Sequence, residues 1–170
     1  MFVRSAGEGD LAAVRALLVE TWHATYDAIY GAERVAAITD SRHSMGSLKA
    51  RLTRPRSEFL VADSGKELGG MAFAVAGEDG KVLMLHQLYV RPAYQGHGVG
   101  GMLLDEILNC FPEAEMVRLE VEEANVRAIA FYEAYGFTHT GRTANVGNTK
   151  SGIPALVMER PLGASAADAT

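Results

Sequence analysis

Gln95-Gly96-His97-Gly98-Val99-Gly100-Gly101 is the stretch on which the reading of this sequence turns. It lies between an apolar run, residues 82–90, and a helix predicted over 98–109, with Met102, Leu103, Ile107 and Leu108 as candidate core positions. Glycine lets the backbone turn sharply and lets a ligand approach with no Cβ in the way. Backbone N–H groups at a helix start lack intrahelical partners and carry partial positive charge. A phosphate or pyrophosphate is the natural guest. The competing reading is a glycine turn with a structural role only.

Two fingerprints overlap in these residues. Gly96-x-Gly98-x-x-Gly101 fits the dinucleotide pattern, and an acidic residue, Glu122, follows 21 residues after Gly101. In a dinucleotide fold, however, the glycines come at once after a strand, usually the first. Here residues 91–95, Pro92 among them, separate the apolar run from Gly96. The P-loop reading fails, because no Gly-Lys-Ser or Gly-Lys-Thr is present.

What precedes the loop also differs from a dinucleotide fold. A short strand is predicted at 2–4, then a helix at 11–30, with Asp10 as its N-cap and Leu11, Val14, Leu17 and Leu18 at helical spacing. Gly31 interrupts it, and a weaker helical stretch covers 47–52, ahead of Pro55. Strands follow at 59–62, 67–76 and 82–90, joined by Asp63-Ser64-Gly65-Lys66 and Glu78-Asp79-Gly80. Short turns of this kind pair neighbouring strands antiparallel. After the glycine helix come a strand at 116–121, a helix at 126–135 stopped by Gly136, and strands at 137–144 and 153–159. Antiparallel strands first and a strand–helix–strand unit later predict a mixed sheet with helices on its faces.

The alternative spacing, Gln95-x-x-Gly98-x-Gly100, resembles the coenzyme A loop of the GNAT superfamily of N-acetyltransferases. Leu88-Tyr89-Val90-Arg91-Pro92 resembles the end of that family's fourth strand. Leu119-Glu120-Val121-Glu122-Glu123-Ala124-Asn125 resembles its fifth strand and the asparagine that follows. Asn125-x-x-Ala128-x-x-Phe131-Tyr132-x-x-x-Gly136-Phe137 resembles its final motif. The four segments fall in the family's order over residues 83–141, about a third of the chain.

The resemblance implies an α/β (α+β) fold: a central, mixed, mostly antiparallel twisted sheet of six to seven strands with about four helices, splayed between strands four and five. It implies acetyl-CoA as co-substrate and no metal. The N–H groups of Gly96, Gly98, Val99, Gly100 and Gly101 would hold the pyrophosphate, with Gln95 and His97 in the same loop. Leu88, Tyr89 and Val90 would carry the pantetheine arm along their backbone, as an added strand does. Asn125, Ala128 and Phe131 would flank the arm on its other side. Arg91, His97 and Arg127 are candidates for the outer phosphates, against the plainer reading of solvated charges.

The implied reaction is attack of an amine on a thioester. Tyr132 matches the family's general acid. A phenol of pKa ~10 giving its proton to a thiolate of conjugate pKa ~8.5 runs uphill by roughly 2 kcal/mol, so Tyr132 assists more than it drives. The plainer reading is a core aromatic beside Phe131 and Tyr135. Freeing a lysine-like amine at pH 7.4 costs ~4 kcal/mol, and an α-amine under ~1 kcal/mol. Glu120, Glu122 and His86 are the candidate bases, and each is equally an ordinary strand residue. Trp22, Tyr26 and Tyr30 recur every four residues along one side of the first helix. They are candidates for an amine pocket, where aromatic faces attract cations, or for core.

Composition bounds the rest. The 170 residues suit one domain, expected over 1–162, with a small, polar tail at 163–170. Hydrophobic residues make up 48%, enough for a core without disulfide or metal. Cys110 stands alone, which favours a reducing compartment, and the cytoplasm is expected. The five histidines show no metal spacing. A net charge of −5 and the lack of a long apolar run predict no nucleic-acid or membrane partner. Monomer and homodimer are both open. The acceptor would be a small-molecule amine or a peptide or protein N-terminus. The competing functions are a non-catalytic CoA-binding regulatory module and a nicotinamide-dependent oxidoreductase.

Overall fold

Leu11, Val14, Leu17, Leu18, Thr21, Trp22 and Tyr26 form a buried stripe at helical spacing, and the helix they drive runs unbroken over Leu11–Tyr30. The computed structural model describes residues 1–146 and 152–163. Its elements are β1 (Phe2–Ser5), α1 (Leu11–Tyr30), α2 (Ala32–Arg42), α3 (Met45–Leu52), β2 (Ser57–Asp63), β3 (Leu68–Ala76), β4 (Val82–Val90), α4 (Val99–Asn109), β5 (Met116–Glu122), α5 (Val126–Ala134), β6 (Thr138–Thr143) and β7 (Ala155–Pro161). Among the described residues, seven strands are hydrogen-bonded in the order β1-β2-β3-β4-β5-β7-β6. The sheet is mixed: β4 and β5 run parallel, while β1–β2, β5–β7 and β6–β7 are antiparallel.

Two compact units share the chain, Met1–Ala74 with Gln87–Cys110, and Val75–His86 with Phe111–Thr170. In the first, α1 carries its buried stripe, and α2 and α3 follow at once. The side chain of Ser44 caps α3 by accepting the Ser47 N–H at 3.1 Å. Asp10 does not cap α1 as its position suggests. Its carboxylate takes two hydrogen bonds from the Arg4 guanidinium, at 2.8 and 2.9 Å, and one from the Gly7 N–H. Arg4 and the Gly7 N–H between them occupy both carboxylate oxygens, and neither bonds the first turn of α1. α2, which the sequence reading passes over, buries only Val35 and Thr39. In α4, Val99, Gly101, Leu103, Leu104 and Ile107 are buried, whereas Met102 is exposed and Leu108 half-buried.

In the second unit the Gly77 N–H closes the β3–β4 turn on the Val82 carbonyl at 2.9 Å. The β4–β5 ladder pairs Val82–Leu85 with Met116–Leu119, the first four of the nine residues of β4. β5 then pairs with β7 along its whole length. The tail expected at 163–170 lies, past Gly163, outside the described residues.

Candidate functional site

The glycine loop belongs to the first unit. Gly96 and Gly98 adopt φ of +81° and +80°, and a Cβ built on either would meet nothing within 4 Å. These positions need glycine for the backbone turn, and the space before them is open. Gly98 is the N-cap of α4 and makes no side-chain cap bond. The Val99, Gly100 and Gly101 N–H groups of the first turn have no acceptor within the helix. Met102, one residue on, already donates to the Gly98 carbonyl at 3.1 Å. An anionic pyrophosphate fits this combination of open surface, orphan donors and helix dipole.

The loop stands on a bonded base. Gln95 Nε2 donates to the Val90 carbonyl at 3.0 Å, so the side chain bridges the strand end and the loop. The Arg91 guanidinium is engaged within the protein: Nη1 lies 2.6 Å from Glu67 Oε1, and Nε lies 2.9 Å from Glu20 Oε2. His97 is exposed. A Cβ on Gly70 would meet the Tyr89 carbonyl at 2.8 Å and Leu103 Cδ1 at 2.9 Å, so β3 approaches β4 and α4 too closely for any side chain. Gly69-Gly70, inside an apolar run, is the sequence signal for this approach. Leu88, Tyr89 and Val90 are half-buried.

Of the aromatic residues on α1, Trp22 and Tyr26 are core, each 1% exposed and packed with Val35. Their rings lie 4.6 Å apart. Tyr30, half-buried, stacks on Tyr26 at 5.5 Å, and the Arg34 guanidinium sits 5.1 Å from its centroid. Tyr89 joins the cluster, 6.4 Å from Trp22. Sequence reasoning missed His43, which lies 6.0 Å from Trp22 and is 2% exposed. Burial first, then the Arg51, Arg42 and Arg15 charges, lower its pKa to about 3.

In the second unit, Asn125 caps α5 by accepting the Ala128 N–H at 3.1 Å. α5 buries Tyr132 between Phe131 and Phe137, at centroid distances of 5.3 and 5.4 Å. Burial, and then the Glu122 carboxylate, push the Tyr132 phenol well above its ordinary range. Glu122 is itself buried, Glu120 is half-buried and His86 is exposed. Arg127 is exposed, while Ala128 and Phe131 are half-buried. The unit thus brings Tyr132, Glu122, Phe131 and Asn125 to one strand end and its following helix. Cys110, in the first unit, keeps its proton, because burial and then Glu58 and Glu106 raise its pKa. Among the described residues, no three His, Cys, Asp or Glu side chains gather as a metal site. No described helix is long and apolar enough to cross a membrane.

Comparison with known proteins identifies the family and the fold. The sequence profile of the acetyltransferase (GNAT) family matches residues 14–137, which run through both units. An N-alpha-acetyltransferase RimI of Mycobacterium tuberculosis is 34% identical over 116 residues, 66% of this chain and 71% of the relative. An uncharacterised N-acetyltransferase of Mycobacterium bovis is 33% identical over 118 residues, 68% of this chain and 75% of the relative. The PaiA N-acetyltransferase of Thermoplasma acidophilum, solved in complex with coenzyme A, superposes with a TM-score of 0.83. It covers 95% of this chain and 98% of its own at 23% identity, which shows a shared fold.

Proposed function

Since the chain belongs to the GNAT acetyltransferase family and is an N-acetyltransferase, we propose that it moves the acetyl group of acetyl-CoA directly to a primary amine, on a small molecule or at a peptide or protein N-terminus. The observation that carries the cofactor is the glycine loop, with Gly96 and Gly98 at positive φ, open space before them, and α4 starting behind them. The N–H groups of Gly98, Val99, Gly100 and Gly101 would bind the pyrophosphate. The backbone of Leu88 and Val90 would bind the pantetheine arm as an added strand. We propose one catalytic domain over residues 1–162.

Acetyl-CoA would supply the acyl thioester. The amine nitrogen attacks its carbonyl carbon, the C–S bond breaks, and the sulfur leaves with the electron pair. Tyr132 is the proposed donor to that sulfur. Burial and then Glu122 raise its pKa, so it is protonated when the sulfur departs and offers that sulfur its hydroxyl proton, assisting more than driving the step. Glu122 and Glu120 are the proposed bases for the incoming amine, directly or through water, and their load is light for an α-amine. The protonated thiol of Cys110 supports direct transfer over an acetyl-enzyme. The relative named as an N-alpha-acetyltransferase favours a peptide N-terminus as acceptor.

The test is thiol release from acetyl-CoA in the presence of an alanyl peptide, a lysyl peptide, a polyamine and free amino acids. Turnover with α-amines ahead of lysyl amines supports the reading. Acetyl-CoA binding with no transfer to any of them favours the non-catalytic module.

A further inference from the structure

We propose that Arg91 is a positioning residue, which with Glu67, Glu20 and Tyr94 latches the glycine loop into the shape that receives pyrophosphate, and that it does not itself touch phosphate. The inference rests on the assignment of that loop to coenzyme A.

β4 ends at Val90 and the glycines begin at Gly96. Whatever aims the loop must act on the few residues between. The Arg91 N–H donates to the Gly69 carbonyl at 2.8 Å, which ties the strand end to β3. Its guanidinium reaches Glu67 at 2.6 Å and Glu20, on α1, at 2.9 Å. The Tyr94 hydroxyl donates to the second oxygen of Glu67 at 2.8 Å. Glu67 therefore grips both ends of the Pro92–Tyr94 turn, through Arg91 before it and Tyr94 at its end. That turn is closed on itself by Tyr94 N–H to Arg91 O at 2.8 Å and Gln95 N–H to Pro92 O at 3.2 Å. The Tyr94 ring lies against Gly69, whose Cβ would stand 3.0 Å from the ring.

The charge balance excludes the competing role. One guanidinium faces two carboxylates, a net charge of −1 at this point, and the Arg91 side chain is 17% exposed while its partners are about half exposed. A phosphate coming to Arg91 would have to displace carboxylates already in contact and would meet their repulsion. The arginine instead holds three segments, α1, β3 and the start of the loop, in fixed register.

The test is calorimetric titration with coenzyme A and with dephospho-CoA, on the wild type, Arg91→Met, Arg91→Lys, Glu67→Gln, Tyr94→Phe and the Arg91→Met/Glu67→Gln double variant. The latch predicts coenzyme A binding about tenfold weaker in Arg91→Met and in Glu67→Gln, as pre-organisation is lost. The double variant is no worse than the poorer single one, the loss is equal for dephospho-CoA, and Arg91→Lys recovers part of it. Turnover of S-acetylpantetheine, which has no pyrophosphate, is unchanged. Tyr94→Phe, which deletes one hydroxyl, shows a smaller loss in the same direction and guards against misfolding of the others. Glu67→Gln with unchanged or tighter binding, a loss that vanishes with dephospho-CoA, or a lowered melting temperature with unchanged affinity each overturn the latch. A wild type that binds no coenzyme A overturns the loop assignment itself, and is thus a different result.

Discussion

The side-chain carbonyl of Asn125 accepts the backbone N–H of Ala128 at 3.1 Å, and in doing so caps the helix that carries Tyr132 about two turns further on. An asparagine expected to flank a ligand is thus also the residue that starts the helix bearing the proposed acid. Removing a cap of this type costs ~1 kcal/mol. Asn125→Ala is expected to lower stability by about that amount in urea unfolding, and Asn125→Ser to restore most of it, because the serine hydroxyl still accepts the bond. Equal stability of Asn125→Ala and wild type would contradict the cap.

Tyr132→Phe keeps the ring packing against Phe131 and Phe137 and removes only the hydroxyl. Turnover is expected to fall by about 10²-fold, with a smaller change in the acetyl-CoA KM. The pH profile carries a separate expectation. The phenol's pKa is raised above its ordinary 10.0, so the group stays protonated to higher pH than a free tyrosine. No loss of kcat that traces to Tyr132 should appear below pH ~10. A basic limb below that value in the wild type, absent from Tyr132→Phe, would contradict this.

Gly70→Ala is expected to destabilise the protein by ~1–3 kcal/mol through overpacking. Its Cβ would meet a backbone carbonyl, that of Tyr89, at 2.8 Å, and the carbonyl cannot swing aside as a side chain can. Thermal unfolding checks it, and an unchanged melting temperature would show that β3 and β4 separate easily.

His43 predicts an acid sensitivity. Its folded-state pKa is lowered from 6.5 to about 3 by burial and by the neighbouring arginines. Below pH 6.5 the unfolded chain takes up a proton that the folded chain refuses. The stability tied to neutral His43 is therefore complete above pH 6.5 and is lost as pH falls towards 3. The slope is ~1.4 kcal/mol per pH unit at most. Relative to His43→Gln, the wild type should lose stability more steeply as pH falls from 6.5 towards 3, as read by denaturant unfolding. Parallel slopes would show that His43 titrates normally.

Long, strongly patterned elements were legible in the sequence. The apolar runs of α1 and β4 carry their own period, and both bounds, 11–30 and 82–90, agree with the structure. α2 was not legible, because it turns only Val35 and Thr39 inward and so carries no strong apolar stripe. The phase of α4 was misjudged at Met102, which faces outward while Leu104 is buried. Glycine positions are local and show in the sequence, whereas the cap at Asn125 was not read, since that residue was expected only to flank the ligand. The fate of Arg91 is not local. Its partners Glu20 and Glu67 lie far back along the chain, and only the fold brings them to it. Trp22 and Tyr26 share a face, as their spacing requires, but spacing cannot say that the face is core.

The most direct test of the central claim is calorimetric titration of acetyl-CoA into the wild type and into Gly98→Glu, with NADH as a parallel ligand. Gly98 sits at φ +80° before open space, so glutamate there adds strain, bulk and negative charge where the pyrophosphate would lie. The account predicts micromolar acetyl-CoA binding by the wild type, none by a folded Gly98→Glu, and silence from NADH. Equal acetyl-CoA affinity in the two proteins, or binding of NADH alone, would contradict it.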